Sequence, residues 1–195
     1  MEGSEKRSPL HREEREQLKE VVVQPLETEH LKLIPFSLEL KKATITERAR
    51  VASILGIQVP DSWPGPDLTE ALPFFVEMLE KDPVSRVWDG IIIHKEDQVA
   101  IGGIGFHGEP DEAGVVEIGY NIIPEYQSRG YATEMTRRFI DWAFHLQGIR
   151  MITAECLDEN LGSIRVLEKV GMSRLEPEGH MLKWELRKEL RNQGP

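Results

Sequence analysis

The spacing of hydrophobic positions predicts a chain in which strands and helices follow one another in a definite order. Strand-like apolar patterns lie at 30–36, 87–95, 99–108, 115–123 and 149–157, with a final hairpin at 172–188. The three- to four-residue period of amphipathic helices marks 38–55 (one or two helices), 68–80, 131–146 and 160–171. The helix at 131–146 has the clearest buried stripe, formed by Ala132, Met135, Phe139, Trp142, Ala143 and Leu146.

The connections between these elements predict the sheet topology. Short turns separate the three strands between 87 and 123, which favours an antiparallel meander. The strands at 115–123 and 149–157 enclose a helix, and such a crossover requires parallel neighbours with a right-handed connection. We therefore predict an α+β fold, with helices on both faces of a single mixed, mostly antiparallel seven-stranded sheet that contains a parallel central pair. A ligand can enter the sheet where the parallel strands separate.

Composition narrows the classes of function. A chain of 195 residues with 39% hydrophobic content suits one globular domain, with or without a tail. The formal net charge of −10 argues against general binding to nucleic acids or anionic membranes. The single cysteine, Cys156, excludes an intrachain disulfide and favours a reducing, cytoplasmic compartment. No Cys/His cluster has the spacing of a zinc site, so we predict no metal.

The N-terminal segment differs from the rest of the chain. Residues 1–20 are densely charged and lack the apolar core of a signal peptide. No apolar run approaches the roughly 20 residues that span a membrane. We predict that 1–20 form a charged, solvated arm, disordered or helical, and that 21–195 form one domain.

The loop between the strand at 115–123 and the helix at 131–146 has the character of an anion site. The first amides of a helix lack internal partners, and the helix dipole favours negative charge there. Gly130 permits close approach of a ligand to the backbone, and residues 126–133 contain no Asp or Glu to repel a phosphate. Gln127 and Arg129 can add side-chain donors. The alternative is an ordinary glycine-containing loop with solvated polar residues.

Three stretches in order resemble the GNAT acetyltransferase superfamily. Gln127-Ser128-Arg129-Gly130-Tyr131-Ala132 is similar to its Gln/Arg-x-x-Gly-x-Gly/Ala signature. The segment from Asn160 to Met172 resembles its Asn-x-x-Ser-x-x-x-x-x-Lys-x-Gly-Phe motif. "LETEHLKLIPF" is similar to the first strand of the branch that acetylates ribosomal-protein N-termini, except that His30 replaces an arginine.

The resemblance implies acetyl-CoA as the cosubstrate and assigns the residues that hold it. The pyrophosphate would lie on the loop formed by Gln127, Ser128, Arg129, Gly130, Tyr131, Ala132 and Thr133. The pantetheine arm would pair with the splayed strand end at Tyr120, Asn121, Ile122 and Ile123, and would also meet Asn160, Ser163 and Lys169. Each of these last three has an alternative: Asn160 is a good helix cap, Ser163 a small packing residue, and Lys169 a solvated charge at a helix end.

The resemblance also implies catalytic groups. An ammonium must lose a proton before it attacks, and Glu117 on the central strand is the candidate base, unless it points to solvent and a strand carbonyl with water serves instead. The family often uses a tyrosine after the Asn-containing helix as general acid, but the chain has none there. Ser163 is the nearest substitute. Trp63 is a candidate for lining the acceptor pocket together with Glu117, or for anchoring its own loop.

These features predict a cytoplasmic N-acetyltransferase that transfers an acetyl group from acetyl-CoA to a primary amine by direct attack in a ternary complex. The amine is a small molecule or a protein N-terminus, the partners include neither nucleic acid nor membrane, and the chain is a monomer or homodimer. The alternative is a non-catalytic CoA-binding sensor or interaction module with the same fold. A nucleotide-phosphate enzyme is disfavoured because no GxxxxGK[ST] motif occurs.

Overall fold

The computed structural model describes residues 9–18, 21, 23–81 and 88–191. The helices are α1 Arg12–Leu18, α2 Leu38–Thr46, α3 Arg48–Leu55, α4 Pro66–Lys81, α5 Tyr131–His145, α6 Leu161–Lys169 and α7 Lys188–Arg191. The strands are β1 Leu26–Glu27, β2 Leu31–Pro35, β3 Asp89–His94, β4 Val99–Phe106, β5 Val115–Ile122, β6 Met151–Leu157, β7 Ser173–Arg174 and β8 Met181–Arg187. The first residue of the predicted strand at 87–95 lies outside the described residues.

One sheet contains all eight strands, in the order β1-β2-β3-β4-β5-β6-β8-β7. The α+β class and the mixed, mostly antiparallel sheet are confirmed. The predicted count of seven was one too low because the two-residue strand β1 is too short to produce a periodic pattern. It pairs with β2 through Leu26 and Glu27.

The parallel central pair is confirmed, and it is short. β5 and β6 are in register only from Val115↔Met151 to Glu117↔Thr153. Beyond Glu117 the two strands separate, although β5 continues to Ile122 and β6 to Leu157. The splay therefore leaves a gap in the middle of the sheet, bordered by the last five residues of β5.

Helices cover both faces of the sheet. Asp89 is paired with Gly105 in β4, and its carboxylate is bonded to Lys41 of α2. Phe106, which follows Gly105 in β4, points to the opposite face of the sheet. Its ring centroid lies 5.0 Å from that of Phe139 in α5. Within the predicted stripe of α5, Met135, Phe139 and Ala143 are fully buried, whereas Ala132, Trp142 and Leu146 are partly buried against the same core.

The N-terminal segment is less solvated than we predicted. Leu10 and Leu18, at either end of the described part, belong to the hydrophobic core. Glu14 forms an ion pair of 3.0 Å with Arg150, which precedes β6. Charge dominates the composition of 1–20, but Leu18 at the end of α1 and Leu10 just before the helix pack into the core. No described helix is long and apolar enough to cross a membrane.

Candidate active site

A cavity of about 840 Å³ occupies the splay between β5 and β6. One end is lined by Gln127, Asn160 and Ser163. The other end lies between α2, α4 and the strands β3 and β4, where Lys41 and Asp89 belong to the lining. Among the described residues, no group of three or more His, Cys, Asp or Glu side chains is arranged to hold a metal ion.

The loop before α5 has the backbone conformation of an anion-binding nest. Gly130 is the N-cap of α5 with φ 90°, and Ser128 has φ 61°. Such positive φ values favour glycine, and they direct successive amides towards one side of the chain. A Cβ built on Gly130 meets nothing within 4 Å, so this side of the loop is open to a ligand. The loop therefore fits a phosphate at the first turn of α5, which includes Ala132 and Thr133.

Two side chains that we expected to donate to a phosphate instead brace the loop. Nε2 of Gln127 donates to the carbonyl of Ile122 at 2.8 Å. Nη2 of Arg129 donates to the carbonyl of Glu125 at 2.9 Å, and its guanidinium lies 5.1 Å from the ring centroid of Tyr126. The two side chains are therefore bonded to internal acceptors, and the groups of this loop that remain to meet an anion are its backbone amides.

Aromatic residues at both ends of the loop attach it to the β3–β4 turn, a feature that sequence analysis missed. Tyr131 was expected to belong to the cofactor loop, but its hydroxyl lies 2.9 Å from Nε2 of His94. The hydroxyl of Tyr126 donates to Asp97 at 2.7 Å. Burial, together with this bond to Asp97, raises the pKa of Tyr126 to about 12. The only advance signal was the recurrence of Tyr on either side of the signature.

The splayed end of β5 leaves backbone groups free to meet an extended ligand. The amide of His107 donates to the carbonyl of Glu117, so the backbone groups of Glu117 face β4. Alternation along the strand then directs the backbone groups of Ile118 and Tyr120 into the gap. We expected Tyr120, Asn121, Ile122 and Ile123 to contact pantetheine, but only residues whose backbone faces the gap can do so. Ile123 is not one of them, because its amide donates to the carbonyl of Ile101 at 2.8 Å.

The side chains of this strand end have structural partners. Oδ1 of Asn121 accepts from the amide of Gly103 at 3.0 Å, and its Nδ2 donates to the carbonyl of Pro64 at 2.6 Å. The hydroxyl of Tyr120 donates to the carbonyl of Ser163 at 3.3 Å, and burial raises the pKa of Tyr120 above its ordinary value. Asn121 thereby joins β4 to the loop before α4, and Tyr120 joins β5 to α6.

The N-terminus of α6 forms the opposite wall of the gap. Asn160 is the N-cap, with its Oδ1 accepting from the amide of Ser163 at 3.0 Å. Both residues line the cavity, together with Leu167 one turn further on. The cap role and the lining role therefore coexist in Asn160. Among the described residues, the cavity lining does not include Lys169, whose carbonyl accepts from Arg137 at 2.9 Å.

Glu117 lies at the last parallel pair and is joined to a histidine that sequence analysis missed. Its Oε1 lies 3.0 Å from Nδ1 of His107, and both side chains are partly exposed. Of the two, the described lining of the cavity includes only His107. No motif distinguished His107, since its pairing with Glu117 depends on the register of two strands.

An ion pair between buried Lys41 and partly buried Asp89 lies at the far end of the cavity. The ammonium of Lys41 is bonded to Oδ2 of Asp89 and lies 4.2 Å from the ring centroid of Phe36. Lys41 is only 2% exposed, and burial lowers its pKa. Burial also raises the pKa of Asp89, although Lys41 opposes this shift.

Trp63, expected either to line the acceptor pocket or to anchor its loop, has the contacts of an anchor. It is 1% exposed, and its indole nitrogen donates to the carbonyl of Gly102 at 3.1 Å. Its ring lies 5.8 Å from that of Phe36. Of the described residues in this loop, Ser62 and Gly65 line the cavity and Trp63 does not.

Comparison with known proteins decides the family. The model of the acetyltransferase (GNAT) domain matches residues 25–173. The chain belongs to the GNAT acetyltransferase family. Members of this family transfer an acetyl group from acetyl-CoA to an amine, and this GNAT protein is accordingly an acetyl-CoA-dependent N-acetyltransferase.

Relatives and solved structures agree with this membership. The chain is 36% identical over 147 residues to the uncharacterized N-acetyltransferase YjdG of Bacillus subtilis, covering 75% of this chain and 88% of the relative. A GNAT-family acetyltransferase from Bacillus anthracis superposes with a TM-score of 0.59 at 23% identity, covering 85% of this chain and 99% of that one. The ribosomal-protein-S5-alanine acetyltransferase from Vibrio fischeri gives 0.58 at 20% identity, covering 89% and 100%. Both superpositions show the same fold.

Proposed function

We propose that this GNAT protein acetylates a primary amine by direct attack on acetyl-CoA in a ternary complex. The observation that supports it is that one continuous cavity in the splay joins the α5 loop end to the Lys41–Asp89 end. Two substrates can occupy one continuous space from opposite sides, with the reacting atoms held together near the gap. No covalent enzyme intermediate is then needed.

The cosubstrate would lie along the gap. Its pyrophosphate would be bound by backbone amides around Gly130, on the side of the loop that is open to ligands. Its pantetheine arm would run between β5 and α6, meeting the free backbone groups of Tyr120 and the side chains of Asn160 and Ser163. The thioester then lies close to Gly119, where β5 leaves the parallel register.

The chemistry of Cys156 favours direct attack over an acetyl-cysteine route. Cys156 lines the cavity and is the only cysteine of the chain. Burial raises the pKa of its thiol, so the reactive thiolate is disfavoured at neutral pH. We expect Cys156→Ser to retain turnover.

The proton of the attacking ammonium would leave on the side of the gap that carries Glu117. This carboxylate lies on the strand that borders the gap, two residues before Gly119. At the other side of the reaction, Ser163 would donate to the departing thiolate, because it is the hydroxyl-bearing residue of the α6 wall. Glu117 and Ser163 thus mark the base side and the acid side of the proposed reaction.

The acceptor would be a primary amine with an apolar portion. Phe36, Phe75 and Met78 line the end of the cavity that holds the Lys41–Asp89 pair. These side chains favour an alkyl or aromatic group beside the amine over a strongly charged one. A hydrophobic protein N-terminus and an apolar small amine both satisfy this description.

Initial-rate kinetics test the proposal. The purified protein is incubated with acetyl-CoA and a panel of N-terminal peptides and small amines, and free thiol is measured. We expect amine-dependent thiol release and double-reciprocal lines that intersect, as a ternary complex requires. Acetyl-CoA binding without thiol release from any amine would support the non-catalytic CoA sensor instead, and parallel lines would indicate an acetyl-enzyme.

A further inference from the structure

We infer that His107 is the group that takes the proton from the amine, and that Glu117 acts through it as a positioning carboxylate. This inference rests on the proposed acetyl transfer and deepens it, by assigning the proton route at the same site. The observation behind it is that His107 belongs to the described lining of the cavity, whereas Glu117 does not and contacts the imidazole of His107 instead.

The register of β4 and β5 fixes the pair. His107 immediately follows β4, and its amide donates to the carbonyl of Glu117 at 2.9 Å, which places the two residues directly opposite each other. Their side chains therefore lie on the same face of the sheet. The 3.0 Å contact between Nδ1 and Oε1 then fixes the imidazole ring from behind.

The second nitrogen of His107 lies over β5, beside the gap. A Cβ built on Gly119 would be 2.4 Å from Nε2 of His107, so the ring lies directly above this glycine. Gly119 follows the last parallel pair, Glu117↔Thr153, by two residues, at the point where the strands separate. Any side chain at Gly119 would displace the imidazole, and the glycine thus keeps Nε2 next to the proposed thioester position.

Glu117 is less well placed than His107 to contact the amine directly. Its side chain is 39% exposed and is occupied by Nδ1 of His107. Among the described residues that line the cavity are His107 and Gly119, whereas Glu117 is absent. An amine that approaches Gly119 from the acceptor end meets Nε2 before it meets the carboxylate.

The roles follow the general logic of a carboxylate–histidine pair. Nδ1–H donates to Glu117, which leaves Nε2 with a lone pair for the ammonium proton. The neutral amine attacks the thioester carbonyl carbon and forms the N–C bond. The C–S bond breaks with its electron pair on sulfur, the surplus proton of the amide nitrogen passes to the thiolate, and His107 returns its proton to water. The products are the acetamide, CoA thiol and one proton.

Four variants test the assignment: His107→Ala, His107→Gln, Glu117→Gln and the double variant His107→Ala/Glu117→Gln. We expect kcat to fall about 10²–10³-fold in both His107 variants, within the range of general-base catalysis. The dissociation constant of acetyl-CoA, measured by calorimetry, should stay within about twofold because His107 lies outside the phosphate loop; this also reports correct folding.

Imidazole rescue and non-additivity separate the roles. Added imidazole should restore part of the kcat of His107→Ala, where it fits the space of the lost ring, and none of the kcat of Glu117→Gln. Because the two residues act as one unit, the double variant should be no slower than His107→Ala. His180→Ala is the matched control, since His180 also pairs with a carboxylate, Asp158 at 2.9 Å, but is 88% exposed.

Two results would overturn the assignment. If His107→Ala keeps kcat within about threefold of wild type and Glu117→Gln shows the large loss, Glu117 accepts the proton directly. Loss without rescue and with weakened acetyl-CoA binding would make His107 a structural residue. In both cases the wild type still turns over, so the proposed function stands. If the wild type itself releases no thiol with any amine, the proposed function and this assignment both fall.

Discussion

The hydroxyl of Tyr131 lies 2.9 Å from Nε2 of His94, so the residue that opens α5 is tied to the end of β3. At the other end of the loop before α5, the hydroxyl of Tyr126 donates to Asp97 at 2.7 Å. Gln127 to Gly130 are therefore held between two anchored tyrosines. The side chains that hold this loop, Tyr126 and Tyr131, bond to the end of β3 and the turn after it.

Tyr131→Phe should weaken binding of the cosubstrate and leave chemistry alone. The variant removes one hydroxyl and keeps the ring packing against His94, whose centroid lies 5.0 Å away. Losing such a hydrogen bond costs about 0.5–1.5 kcal/mol, which corresponds to a rise of about two- to tenfold in the KM for acetyl-CoA. Acetyl-pantetheine, which lacks the pyrophosphate, is the discriminating substrate, and its KM should not change. Equal rises for both donors would show that the tie does not act through the loop.

Gly130→Glu should abolish acetyl-CoA binding in a folded protein. The free protein has room for a side chain at this position, because a Cβ there meets nothing within 4 Å. The carboxylate would occupy the phosphate position, and φ 90° adds strain of about 1–2 kcal/mol for any side chain. Gly130→Ala carries the same strain without the charge, so its affinity should fall much less. Calorimetry measures both variants, and an unchanged affinity in Gly130→Glu would remove the phosphate nest.

Features set by neighbouring residues in the sequence could be predicted, whereas contacts between distant segments could not. Gly130 and the helix after it were predictable because a loop–helix junction is local in sequence. The β5–β6 splay was predictable from the crossover helix. By contrast, His107 is close to Glu117, and Tyr131 close to His94, only because of strand register and helix docking. Gln127 and Arg129 were assigned to the ligand because sequence alone does not reveal the nearby carbonyls of Ile122 and Glu125.

Ser163 offers a test of the leaving-group side. Ser163 lines the cavity, and its amide and carbonyl are bonded to Asn160 and Tyr120. Ser163→Ala should lower kcat and barely change the affinity for acetyl-CoA, because a donor matters most when charge develops on sulfur. Ser163→Leu should reduce both by filling the gap. Full activity of the Ala variant at saturating acetyl-CoA would make Ser163 a spacer, and Tyr120→Phe would then test the neighbouring phenol as the donor.

The Lys41–Asp89 pair should control stability more than any exposed ion pair. Asp89→Asn leaves the buried ammonium of Lys41 without its counter-charge, and breaking such a pair costs about 3–5 kcal/mol. Glu80→Gln is the matched control, because it breaks the pair between Lys42 and Glu80, whose side chains are 48% and 51% exposed. We expect its effect to be below about 1 kcal/mol. Urea denaturation monitored by tryptophan fluorescence measures both.

The same substitution should change the pH dependence of stability in a direction fixed by Lys41. Burial already lowers the pKa of Lys41 below 10.5, and Asp89 opposes the shift. Without Asp89 the folded-state pKa falls further, so the unfolded chain binds more protons than the folded one. Stability then rises with pH, is fully present above the unfolded pKa and is lost as the pH falls through the folded pKa. As the pH rises towards 10.5, Asp89→Asn should therefore recover stability relative to wild type. If the difference in stability between the two proteins stays constant as the pH rises, Lys41 is equally protonated in the folded and unfolded states of the variant.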